Sequence, residues 1–113
     1  MNDKYIKNID IATVLPLAEQ VGYQSGQIVS KTFVQNKFIS MTLFAFDKGE
    51  EISSHDSDGD AMVIALDGKG EITIDGKVYM VEAGETIVMP SKVPHAVLAA
   101  EQFKMFLLVV FPQ

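Results

Sequence analysis

Residues 49–68 read GEEISSHDSDGDAMVIALDG, and residues 84–95 read GETIVMPSKVPH. In the first stretch Gly49 is followed by five residues, then His55, then an apolar run that ends at Gly68. In the second, Gly84 is followed by five residues, then Pro90, then His95. His55 and His95 are the chain's 2 histidines. They hold matching places in two halves that each read as strand, turn, strand, so a closed barrel would bring their imidazoles together.

The segments on either side read as strands. Ala61–Leu66 is short and wholly apolar, the pattern of a strand covered on both faces. Glu71–Ile74 and Val78–Val81 flank Asp75-Gly76, a pair that accepts the positive φ angles of a two-residue hairpin. Thr86–Met89 is a further strand ended by Pro90, and Ala96–Leu98 and Lys104–Phe111 complete the set. Upstream, Gln27–Val34 and Phe38–Phe46 are rich in β-branched and aromatic residues and are separated by a turn at Gln35-Asn36-Lys37. About eight to ten strands at these intervals predict an all-β sandwich or barrel. Before Gly22 the signal differs: Asp10 or Thr13 can cap a short helix within residues 11–21, with Pro16 in its first turn.

A chain of 113 residues is expected to form one domain, 1–113. Its high hydrophobic content and moderate share of charged residues fit a folded globular protein. The absence of cysteine excludes a disulfide scaffold, a thiolate zinc site and a thiol nucleophile, and fits a reducing cytoplasm. A net charge of -6 with no Lys/Arg stripe argues against nucleic acid as a partner. Met1-Asn2-Asp3-Lys4-Tyr5 has no apolar signal core behind it, and the longest apolar run, Met105 to Phe111, is too short to span a bilayer. The expectation is a soluble, cytoplasmic protein with no membrane partner.

In its spacings the chain resembles the small single-domain cupins. The family's first motif runs Gly, five residues, His, one residue, His, three or four residues, Glu, six residues, Gly; Gly49, His55 and Gly68 fall in register with it. The second runs Gly, five residues, Pro, one residue, Gly, two residues, His, three residues, Asn; Gly84, Pro90 and His95 fall in register. The resemblance covers roughly residues 38–111. It implies a double-stranded β-helix, a jelly-roll-like barrel with one open mouth. In cupins three histidines and a glutamate of these motifs usually bind a divalent metal. Here the second histidine position is Ser57, the glutamate position is Ala61, the motif-two glycine is Lys92 and its asparagine is Ala99. His55 and His95 therefore carry over as metal-ligand positions, for iron, nickel, manganese or zinc, and Ser57 and Ala61 do not. No organic cofactor is implied.

Two neutral imidazoles fall short of the three protein ligands that zinc and iron sites normally take. The acids nearby are Asp56, Asp58 and Asp60. If Ser53, His55 and Ser57 point inward by alternation, Asp56 and Asp60 point outward, unless a bulge at Asp58-Gly59 reverses the parity. DSDGD at 56–60 is not a calcium loop, because its glycine is fourth rather than sixth; it reads as a solvated turn. With Ala61 inward, Val63 and Ala65 are inward too and are small, which leaves room for a ligand, and Met89, Val97 and Met105 or Phe103 line the same space. Met62, Ile64 and Leu66 then form a large apolar outer face suited to a covering element or a partner, and a homodimer is expected. Three functions compete: a small-molecule-binding barrel with or without a weakly held metal, a metal-dependent enzyme (dioxygenase, isomerase or decarboxylase) acting on a small organic acid, and a non-catalytic scaffold or sensing barrel. The missing ligands weigh against the second, and the small inward residues against the third.

Overall fold

A computed structural model describes residues 5–113; Met1–Lys4, part of the stretch read for a leader, lies outside the described residues. Seven strands run through it: β1 (Ile28–Gln35), β2 (Ile39–Phe46), β3 (Glu51–His55), β4 (Asp60–Ile74), β5 (Lys77–Glu82), β6 (Thr86–Met89) and β7 (His95–Val110). All pairs are antiparallel. The expected hairpin forms at Asp75-Gly76, where Ile74 pairs Lys77. Both turn residues have positive φ, 49° and 82°.

Fewer strands form than the sequence pattern counts, because two are long and bent. Ala61–Leu66 and Glu71–Ile74 are one strand, β4, and Ala96–Leu98 and Lys104–Phe111 are one strand, β7. Each changes partner midway. The first half of β4 pairs β6 and the second half of β7, which in turn pairs β2, with β1 beyond it. The second half of β4 pairs β5 and the first half of β7, which in turn pairs β3. One continuous sheet thus doubles over into two faces, β1-β2-β7-β4-β6 and β3-β7-β4-β5. The turn-like interruptions in the sequence are bends, and the ladder survives a bend by shifting register, here between Ala65 and Asp67 and between Gly68 and Gly70.

The bend in β4 depends on Gly68. Its φ is +73°, and a Cβ there would stand 1.6 Å from the Gln102 carbonyl oxygen. Phe103, fully buried, fills the corner against Gly70 and Phe46. The motif glycines, Gly49 and Gly84, also adopt positive φ, 86° and 91°, a region open to glycine at no steric cost. Each turn docks on the bend of the opposite long strand. Gly49 N donates to Ala99 O and Ala99 N to Glu50 O; Gly84 N donates to Ala65 O and Ala65 N to Glu85 O, all four at 2.9 Å. The two halves that match in sequence are thus matched bond for bond.

The main core lies between the two faces and joins Phe46, Ala61, Val63, Ala65, Ile72 and Met89 with Val97, Phe103 and Met105. A second core covers part of the outside: Leu17 and Val21 of the N-terminal segment pack with Phe33, Leu43, Leu66 and Phe106. Tyr23 of that segment donates its hydroxyl to Asp67 at 2.5 Å, and burial together with this bond pushes its phenol pKa up. Lys104 Nζ reaches the Ala18 carbonyl at 2.7 Å. The expected helix shrinks to one 3-10 turn, Leu17–Gln20, preceded by Pro16 in an extended conformation, with no side-chain cap. Thr13, one of the two expected caps, bonds the Ile11 carbonyl instead. Apolar anchoring to the sheet therefore outcompetes helical propensity in this segment. No helix among the described residues is long and apolar enough to cross a membrane.

Candidate functional site

His55 closes β3 and His95 opens β7, and the two are direct antiparallel partners. On the other side of His95 the partner is Ile74 of β4, whose side chain packs on the main core. Cross-strand partners project from the same face, so both rings stand over the core at its edge. A register shift between Ile52 and His55 accommodates the pairing. The bulge sits there, rather than at Asp58-Gly59. The ring centroids are 4.4 Å apart at an interplanar angle of 68°, an edge-on contact. His95 is buried at 5% exposure, whereas His55 is exposed.

Each imidazole is anchored to the backbone two residues before it. His55 Nδ1 lies 3.0 Å from Ser53 O, and His95 Nδ1 lies 3.2 Å from Val93 O. A carbonyl only accepts, so each Nδ1 carries the hydrogen, and in the neutral ring Nε2 is then a bare acceptor. Burial holds the His95 pKa below its ordinary value. The Val93 bond opposes that, the neighbouring His55 adds to it, and the Asp56 carboxylate again opposes it. Burial thus favours the neutral form of His95.

The remaining members of the expected site fall in two groups. Ala61, Val63, Ala65, Met89, Val97 and Met105 are buried together in the main core, packed with Phe46, Ile72 and Phe103. Among the described residues, open surface clefts of about 240 to 540 Å³ are lined by the N-terminal segment, β1, the C-terminus and the Asp58–Asp60 turn. Ser57 is half-buried and its hydroxyl closes a local turn, accepting from Gly59 N at 3.0 Å. Asp60 is exposed, as its parity requires, and accepts from Ser91 N at 2.8 Å. Asp56–Gly59 is irregular, the solvated turn expected of it.

The fold family implies a divalent metal, and the donor set decides against one. Nδ1 bonds to carbonyls are the outer-shell arrangement of metal-binding histidines, and they leave two Nε2 donors. The other two family positions offer Ser57, committed to Gly59, and Ala61, a methyl group. No group of three or more His, Cys, Asp or Glu among the described residues is placed to hold a metal ion. Two neutral imidazoles without a third protein ligand do not make a zinc or iron centre.

The Ser53 and Val93 carbonyls are invisible in the sequence, because any residue supplies a carbonyl and only the backbone path aims it. Lys92 reads in the sequence only as a missing glycine. It keeps the glycine conformation, with φ at 62°, and its N–H bonds Ser57 O at 2.7 Å. The turn that delivers His95 is thereby tied to the turn that follows His55.

A family model for the cupin domain matches residues 42–111. The chain is 49% identical to a conserved protein of unknown function from Streptococcus pyogenes, over 98% of this chain and 97% of that one, with a TM-score of 0.97. It is 26% identical to a cupin superfamily protein from Desulfitobacterium hafniense, over 95% and 98%, with a TM-score of 0.90. A salicylate 1,2-dioxygenase from Pseudaminobacter salicylatoxidans shares the fold at 20% identity, over 74% of this chain and 26% of that one, with a TM-score of 0.68. No curated protein matches the chain. With its doubled-over sheet, its paired glycine turns and the family match across most of its length, the chain belongs to the cupin domain family.

Proposed function

We propose that this cupin is a small-molecule-binding barrel whose ligand engages the His55–His95 pair without a divalent metal. The observation that supports the reading most is the pair itself: two imidazoles 4.4 Å apart, one buried and one exposed, each anchored through Nδ1. Anchored rings lose little freedom on binding, which favours recognition of a hydroxylated or anionic ligand. An enzymatic reading of the dioxygenase kind has the fold alone in its favour, and the donor set argues against it.

The proposal includes a homodimer. Val88, Met62, Leu108 and Met41 form one row across β6, β4, β7 and β2. The N-terminal segment covers the Met41 end and Leu66, while Val88 remains 48% exposed. An apolar row of this kind fits a second copy of the chain. Sedimentation at micromolar concentration tests it, and a monomer refutes it.

The binding reading is tested by a thermal-shift screen of organic acids and sugars against the wild type and His55→Ala. A ligand that stabilises the wild type and leaves the variant unmoved supports it. A screen in which nothing shifts the wild type, or in which the variant responds equally, overturns it.

A further inference from the structure

We propose that residues 17–23 form a strap that opens and closes as a unit over the outer sheet face, held shut by side chains from three strands. Anchors bracket it on both sides. Before it, Lys7 N donates to Phe33 O and Asn8 Nδ2 to Thr32 O, toward the end of β1. After it, Gly26 N donates to the Asp47 carboxylate at 2.7 Å, just ahead of the start of β1. The chain between, residues 9–25, crosses the face as far as Asp67 on β4 and returns. It holds one 3-10 turn and exceeds the ~12–15 residues of ordinary connections, a class that supplies lids and binding loops.

Lys31 of β1 donates its ammonium to Gln20 O at 3.3 Å, Lys104 of β7 donates to Ala18 O at 2.7 Å, and Asp67 of β4 accepts from the Tyr23 hydroxyl. Lys104 and Asp67 are cross-strand partners, and the Lys104 ammonium also lies 5.0 Å from the Tyr23 ring centroid. Beneath these latches Val21, 6% exposed, and Leu17 pack with Phe33, Leu43 and Phe106. None of this grip belongs to the ladders. Among the described residues no strand pairing includes residues 9–25, and no strap residue joins the main core between the two faces. Opening the strap therefore breaks side-chain contacts and leaves the ladders and the main core in place, the condition for local rather than global opening. It would bare Leu66 and Phe106 beside the Met62–Leu108–Met41 row, so the strap sets how much of the outer apolar face is accessible.

The chain has no cysteine, so a single introduced thiol reports on its own site. Val21→Cys places one on the strap and Val81→Cys places one in the main core, both at buried valines of the full chain. Each is labelled with a chromogenic disulfide reagent at pH ~8, near the ordinary thiol pKa, in urea well below the unfolding transition. The strap thiol is expected to react at least about tenfold faster than the core thiol and with a weaker urea dependence, because less surface is exposed in a local opening. Adding Tyr23→Phe, which keeps the ring and removes the hydroxyl, should speed the reaction of Val21→Cys by about three- to tenfold. Equal rates with equal urea dependence at the two thiols would mean that the strap parts only when the whole fold does, which overturns the proposal. A strap thiol whose rate is unchanged by Tyr23→Phe overturns the latch at Asp67. If either variant lacks a cooperative urea transition, Leu17→Cys replaces it on the strap and Ala99→Cys in the core, and the same two outcomes decide.

Discussion

Gly68→Ala is expected to be among the most damaging single-methyl additions to this chain. Two costs add. The first is conformational: φ is +73° at this position, and an alanine there costs about 1 kcal/mol relative to glycine. The second is steric: the new Cβ would lie 1.6 Å from Gln102 O, where ordinary contact begins at 3.4 Å, and the obstacle is backbone. Relief requires β4 and β7 to part at the bend, where Gly68 pairs Phe103. That loosens ladder bonds worth about 1 kcal/mol each and the packing of the fully buried Phe103. The sum is about 4 kcal/mol, a large share of the stability of a small domain. Gly76→Ala isolates the first cost, since φ is +82° there and nothing lies within 4 Å of an added Cβ. It should lose only about 1 kcal/mol. Urea unfolding of the two variants reads the difference as a shift in midpoint at constant slope. Losses that agree to within about 0.5 kcal/mol would show that the bend tolerates a side chain and would refute the reasoning.

Lys92→Gly should stabilise the protein by about 0.5–1 kcal/mol, because relief of a left-handed lysine outweighs glycine's extra freedom in the unfolded chain; φ at Lys92 is 62°. A rise of about 3 °C in thermal midpoint would register it, and a fall would contradict it. Stability should also decline on acidification through His95. Its folded-state pKa lies below the ordinary value, so the unfolded chain binds more protons. Stability then drops as pH falls through about 6.5, levelling off below the folded-state value. In denaturation series at several pH values, His95→Gln should flatten that part of the profile; an unchanged profile would remove His95 as its source.

Much of this architecture is legible in the residues, and the gaps have physical causes. Asp75-Gly76 announces its hairpin because two positive-φ residues in succession suit few other structures. The glycine-histidine spacings alone bring His55 and His95 together, and the two are indeed strand partners. The bends of β4 and β7 are hidden: Asp67-Gly68 reads as a turn, and only the partner strands show that pairing continues through it. Leu17 and Val21 carry a helical pattern whose outcome is set by the face they cover. Leu66, on the apolar outer face expected to meet a covering element or a partner, is covered by that same segment. At the histidine pair, residue types identify the imidazoles, but the hydrogen positions depend on two backbone carbonyls that no side-chain pattern encodes.

The central claim is that His55 and His95 form an imidazole pair rather than a metal centre. Its most direct test is elemental analysis of the purified protein after incubation with iron(II), manganese(II), nickel(II) and zinc(II) and gel filtration. With two protein nitrogens and no third ligand, less than about one-tenth of an equivalent of any metal should remain per chain. One equivalent retained by the wild type and lost in His55→Ala would contradict the account.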